Sequence, residues 1–207
     1  LLDKSIVIVK IFRMMIMNFE LMLSICLGVG LAASSGFRVF VPLFVMSIAA
    51  YFNVLSLSEN WTWLGSPYAL IIFAVASIVE SLAYLVPIVD NALDSLAIPL
   101  AGMAGTMTMA SNVANLSPEA TWALAIVAGG GAATVVKSTS ALTRVASTAT
   151  TAGLANPVIG AAETGAAVGL SVLAIVMPVA AAIVAILGLL CLIWFGVKIK
   201  KRLANEP

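Results

Sequence analysis

Five charged residues stand where a chain this apolar has little use for charge, and they are the residues able to do chemistry. Glu80 sits in IIFAVASIVESLAYLVP and Glu163 in NPVIGAAETGAAVGL. Counting back at 1.5 Å per residue puts each carboxylate roughly 10 Å inside the end of its apolar run. Charge at that depth costs at least about 2.5–3.5 kcal/mol, which makes such residues functional suspects. Two carboxylates at similar depth are suited to holding a cation or passing a proton between them. Asp90 and Asp94, in PIVDNALDSLAIP, are spaced i, i+4 and share one face of a helix. Their repulsion asks for a shared proton, a bound cation or a basic partner, while Asp90 also suits the cap of the following helix. Pro87 and Pro99 bracket the pair and permit a kink at each end.

Arg38, in LAASSGFRVFVP, is the basic member of the set. Ser34, Ser35 and Gly36 before it are able to open the helix and offer N–H groups to an anion, with Ser35 and Arg38 as contacts. The competing role for Arg38 is an ion pair with one of the four carboxylates. Lys137, followed by Ser138 and Thr139, occupies the corresponding basic, hydroxyl-rich place in the second half. Asn112, Asn115 and Asn156 read as ordinary caps near helix ends.

The elements that must carry these groups are membrane helices. Of 207 residues, 62% are hydrophobic and only 9% charged, and the mean hydropathy is +1.16. A soluble domain needs about 25% charged residues to cover itself. A water-soluble enzyme, a disordered chain and a nucleic-acid partner are thereby excluded, the last also because a net charge of +1 draws no polyanion. Histidine is absent, and Cys26 and Cys191 lie singly in apolar runs, where they read as small buried hydrophobes. No cofactor or enzymatic chemistry is expected, and no metal-ligand set is identified.

A crossing needs about 20 apolar residues. Six stretches qualify: 18–35, 67–86, 95–113, 119–136, 157–177 and 179–197. Two more, 37–52 and 138–153, are too short or too polar and read as re-entrant, cavity-lining or surface segments. The fold class is therefore all-α, a polytopic helical bundle embedded in a lipid bilayer. Lys4, Lys10 and Arg13 precede the first span, and Lys198, Lys200, Lys201 and Arg202 follow the last. Positive-inside bias puts both termini in the cytoplasm. The loop 53–66 then lies outside with Glu59 as its one charge, flanked by Tyr51, Trp61, Trp63 and Tyr68 as an interfacial aromatic belt. Residues 1–17 form a basic extension, with Met14, Met15 and Met17 as alternative starts; LAASS at 31–35 would suit a signal-peptide reading less well, because Glu20 interrupts the apolar core.

The chain also matches itself. LSICLGVGLAA (23–33) aligns with LAIVAGGGAAT (124–134), LAYLVP (82–87) with LAIVMP (173–178), and Pro67 with Pro157. This divides the chain into an extension at 1–17, a first membrane repeat at 18–115, a second at 116–199 and a basic tail at 200–207. Three crossings per half invert the second repeat, an arrangement that places transport sites between halves. The glycines of both clusters, Gly28, Gly30 and Gly129 to Gly131, serve close helix packing or thin the wall of a path.

GLAASSGFRVFVP (30–42), VPIVDNALD (86–94), AGGGAA (128–133) and the run from STSALTR to TAGLANP (138–157) resemble an uncharacterised bacterial family of small integral membrane proteins, a domain of unknown function. The resemblance spans roughly 20–200 and implies a multi-spanning protein of the bacterial inner or plasma membrane, with no substrate or catalytic residue carried over. The expected function is a transporter or channel for an ion, a cation or proton before an anion, or for a small polar solute. The alternative is a structural or assembly subunit, and association with further copies stays open. An intramembrane enzyme acting on lipids is a third reading that no specific motif supports.

Overall fold

The computed structural model describes the backbone of residues 2–84, 87–113 and 116–204, and the side chains of 10–84, 93, 96–113 and 116–194. Proline punctuates the chain. Pro67, Pro87, Pro118, Pro157 and Pro178 each stand at the first or second position of a helix, where the missing N–H costs nothing. The helices are α1 (Leu2–Phe37), α2 (Phe40–Tyr51), α3 (Pro67–Ala83), α4 (Pro87–Asn112), α5 (Pro118–Leu124), α6 (Gly131–Thr151), α7 (Asn156–Val176) and α8 (Pro178–Ala204). Ser66 and Ser117 cap α3 and α5, accepting from Ala69 N and Ala120 N. A 3-10 helix, Glu59–Gly65, lies in the loop before α3. Among the described residues there is no strand.

Among the described residues, three helical stretches are long and apolar enough to cross a membrane: Lys10–Phe37, Pro118–Thr151 and Asn156–Val176. The 3-10 helix and α3, bent by 65°, together form a fourth candidate, and Phe40–Tyr51 and Pro178–Trp194 are shorter apolar helices. The stretch 138–153, read as a separate polar segment, is instead the continuation of 119–136. A π-helical turn, Ala125–Gly130, joins α5 to α6 without a break. The reason is the placement of its polar groups: Lys137, Ser140, Arg144 and Ser147 fall on one buried face, whereas Leu142 and Val145 point outward. The helix is amphipathic with its polar side in.

Among the described residues, buried polar groups such as Ser34, Arg38 and Glu163 share the interior with an apolar core, and Ile71, Ile72, Val75, Leu142 and Ile183 cover the outside. Water would demand the opposite arrangement. Cys191 also faces outward, against the expectation of burial, and Cys26 is partly buried. α1 is the central post, packing on α4, α6, α7 and α8, while α2 leans on α3 and α7. α4 crosses the π-helical turn at glycine: a Cβ on Gly105 would stand 2.5 Å from the Gly129 carbonyl oxygen, and the reverse holds for Gly129. Gly28 and Gly129 both abut Met109 of α4.

Candidate functional site

The chain turns back at Arg38 and Val39, so that α2 brings Met46 to the end of α4, where Ser111 bonds it and where Gly28 of α1 abuts Met109. Arg38 N still bonds Ser34 O at 3.2 Å, and α2 then starts afresh at Phe40 with Pro42 in its first turn. The first amides of a new helix have no carbonyl of their own helix to bond. The Glu80 carboxylate, from the last turn of α3, takes two of them: Val39 N donates to Oε1 at 2.7 Å and Phe40 N to Oε2 at 3.0 Å. A carboxylate at a helix N-terminus also faces the positive end of the helix dipole. Glu80 is thus buried as a cap, 9% exposed.

The same interruption turns the Arg38 side chain toward α7. Its Nε donates to Thr164 Oγ1 at 2.9 Å and its Nη2 to the Gly160 carbonyl at 2.7 Å. Glu163 Oε2 lies 3.8 Å from Nη2. Gly160 is what lets the guanidinium in, because a Cβ there would stand 3.2 Å from Nη2. Arg38 Nη1 is buried and has no hydrogen-bond partner among the described residues.

Glu163 is the hub of the second layer. Ser140 Oγ donates to its Oε1 and Arg144 Nη2 to its Oε2, so two residues one helical turn apart on α6 grip one carboxylate of α7. Tyr84, just past α3, fills the centre. Both guanidiniums lie over its ring, Arg38 Cζ and Arg144 Cζ each 4.2 Å from the centroid. Its hydroxyl accepts from Lys137 Nζ at 2.8 Å. The quadrupole of an aromatic face attracts such cations, most strongly where water is excluded.

The structure therefore brings Arg38, Lys137, Glu80 and Glu163 together, as charged side chains all below 10% exposure. It does not bring Ser35 in: its Oγ turns back to Leu31 O at 3.0 Å within α1. Ser34 instead reaches α7, donating to Ala167 O at 2.7 Å and meeting Ser171 Oγ at 2.7 Å. Asp90 and Asp94 lie on α4, which begins at Pro87, so Asp90 stands within its first turn rather than at its cap. Both aspartate side chains lie outside the described residues, as does Asn115. Asn112 and Asn156 sit at the end of α4 and the start of α7; Asn156 Nδ2 donates to Thr148 Oγ1 at 3.1 Å. Arg144, Tyr84, Ser140, Thr164 and Gly160 are members that sequence reasoning did not assign to the site. The spacing 137, 140, 144, 147 on α6 carries the signal for one inward polar face.

The two glutamates border different cavities. Glu80 and Tyr84 line one of about 570 Å³ with Val39, Ile72 and Leu96. Glu163 and Ser140 line another of about 330 Å³ with Phe37 and Ile159. Chemically the cluster can hold or exchange a proton or cation at its carboxylates, or lock four helical elements together.

A family model described as Domain of unknown function (DUF4126) matches residues 25–198. No curated protein and no solved structure shows a significant match.

Proposed function

From the premise that the chain belongs to the DUF4126 family, whose description assigns no activity, we propose that it is an integral membrane transporter or channel. Its cargo is an ion, a cation or proton first, or a small polar solute. One observation carries the reading: Glu163 lies 3.8 Å from the buried Arg38, and Glu80 binds the amides of Val39 and Phe40 next to it, where α1 gives way to α2. A proton or cation arriving at Glu163 competes with Arg144 and Arg38 for the same oxygens. Weakening that attraction loosens the hold of α6 on α7 and leaves Glu80 as the stronger pull on Arg38. The Nη1 edge of Arg38 is a donor left over for a passing oxygen.

The six-crossing, inverted-repeat architecture belongs to this proposal. In it α1 and α2 correspond to α5 and α6, α3 to α7 and α4 to α8, in the bacterial inner membrane. Pro67 and Pro157 open corresponding helices. The glutamates are not counterparts in this register, since the shift that pairs 82–87 with 173–178 sets Glu80 against Ser171. Their roles therefore differ: Glu80 is the fixed cap and Glu163 the exchanging group.

A specific observation favours the second reading, a structural or assembly subunit. Both oxygens of Glu80 are engaged by backbone amides, and the two acids border separate cavities. Proteoliposome flux under an imposed pH gradient, followed with an internal pH dye, separates the two. Transport predicts flux that Glu163→Gln abolishes in protein that still elutes as a single species. Absence of flux for protons and alkali cations, with Glu163→Gln lowering only stability, establishes the structural reading.

A further inference from the structure

At the end of the molecule away from the buried charges, the 3-10 helix, the end of α4 and the start of α5 enclose a cavity of about 640 Å³. This is within the usual range for a small-molecule site. Three of the four tryptophans line it: Trp61, Trp63 and Trp122. Trp61 is partly buried against both apolar cores. The other two flank it, with ring centroids 6.4 Å and 6.5 Å away and planes tilted by 30° and 54°. The rings are thus spaced and tilted as walls rather than stacked as a pile. Glu59 lines the same cavity.

Charge selects the occupant. Between Arg38 and Lys137 the sequence contains no lysine, arginine or histidine, so the segments lining the cavity bring only the negative charges of Glu59 and Glu119; Lys10 and Arg13, on the part of α1 that precedes the contact of Leu21 with the same core, are not among its lining residues. The backbone on either side of Trp61 and Trp63 is anchored to the bundle. Ser58 donates to the Ser111 carbonyl through its N–H at 3.0 Å and its Oγ at 3.2 Å. Ser47 Oγ donates to Leu64 O at 2.6 Å, and Leu64 is fully buried. Aromatic faces around a carboxylate recognise a bulky, weakly hydrated cation, above all a quaternary ammonium.

We propose that Trp61, Trp63, Trp122 and Glu59 form a binding site for a quaternary ammonium group, supplied by a free solute or by a choline-type lipid headgroup. The inference does not depend on transport. Tetramethylammonium is the probe, titrated against tryptophan fluorescence of the full chain in choline-free nanodiscs, with sodium chloride at matched ionic strength as reference. The expected result is saturable quenching by tetramethylammonium alone. Trp63→Ala, Trp122→Ala and Glu59→Gln each weaken it roughly fivefold or more, whereas Trp194→Ala leaves the binding constant unchanged. Trp122→Phe, which keeps a ring, restores most of the affinity and guards against misfolding of the alanine variant. Nanodiscs containing phosphocholine lipid assign the source: a site already filled there, insensitive to added probe, belongs to the headgroup, and one that still titrates belongs to a solute. Linear quenching, equal quenching by sodium, or folded variants with undiminished affinity would overturn the proposal and leave the tryptophans as interfacial anchors.

Discussion

Arg38 Nη2 donates to the Gly160 carbonyl at 2.7 Å, and a Cβ on that same glycine would stand 3.2 Å from the nitrogen. The bond and the empty space are one design, since the guanidinium reaches the carbonyl only across the place a side chain would fill. Gly160→Ala gains up to about 1 kcal/mol of helix propensity and loses a comparable amount by shifting Arg38 a few tenths of an ångström. It should be nearly neutral in unfolding experiments in detergent. Gly160→Leu has no such compensation and should cost about 1–3 kcal/mol or more.

Glu80 tests the interruption between α1 and α2. Glu80→Gln keeps one acceptor oxygen and turns an N–H₂ toward the other amide of the Val39 and Phe40 pair. One buried amide then lacks an acceptor, at about 1–3 kcal/mol. Equilibrium unfolding measures the loss, and hydrogen exchange should show faster opening at the start of α2 than in the middle of α7.

The glycines divide into two groups by what surrounds them. Gly105→Ala and Gly129→Ala push a methyl to within 2.5 Å of a backbone oxygen on the facing helix. Neither backbone yields without separating α4 from the π-helical turn, so each should lower stability by about 1–3 kcal/mol. Gly165 and Gly169 of α7 have nothing within 4 Å of a Cβ, so alanine there should raise stability by up to about 1 kcal/mol. Thermal unfolding of the four variants side by side decides it.

Tyr84 serves two kinds of partner, and truncation separates them. Tyr84→Phe removes the hydroxyl that accepts from Lys137 Nζ but leaves the ring beneath Arg38 and Arg144. A bond to a charged group is worth about 1.5–3 kcal/mol. Tyr84→Leu loses the ring as well and should cost more. A double-mutant cycle with Lys137→Met should show coupling for the hydroxyl, whereas a cycle of Tyr84→Leu with Arg38→Met should report the ring.

Much of this was legible in the sequence because burying charge in an apolar chain is costly enough to leave a mark. Arg38, Lys137, Glu80 and Glu163 announce themselves as single charges within apolar or uncharged runs, and all four are buried in one cluster. Arg144 was overlooked because its neighbours are serines and threonines, so average polarity hid a face that repeats every three to four residues. For the same reason 138–153 reads as a separate segment although it continues the helix before it. Ser35 shows a different limit: a hydroxyl on a helix can satisfy itself on the preceding turn, and only coordinates reveal that it has done so. Pairing of a carboxylate with two amides at the start of a helix is also beyond one-dimensional reading, since 40 residues separate Glu80 from Phe40.

The polar contacts of Arg38 on α7 also impose an order on biogenesis. A ribosome delivers the arginine long before it delivers Gly160, Glu163 and Thr164. Through most of translation the nascent chain must shelter this cation with interim ligands, whether its own upstream acids or the insertion machinery. The N-terminal half therefore matures only when the last third arrives, and splitting the gene between α4 and α5 should yield two fragments that depend on co-expression to accumulate.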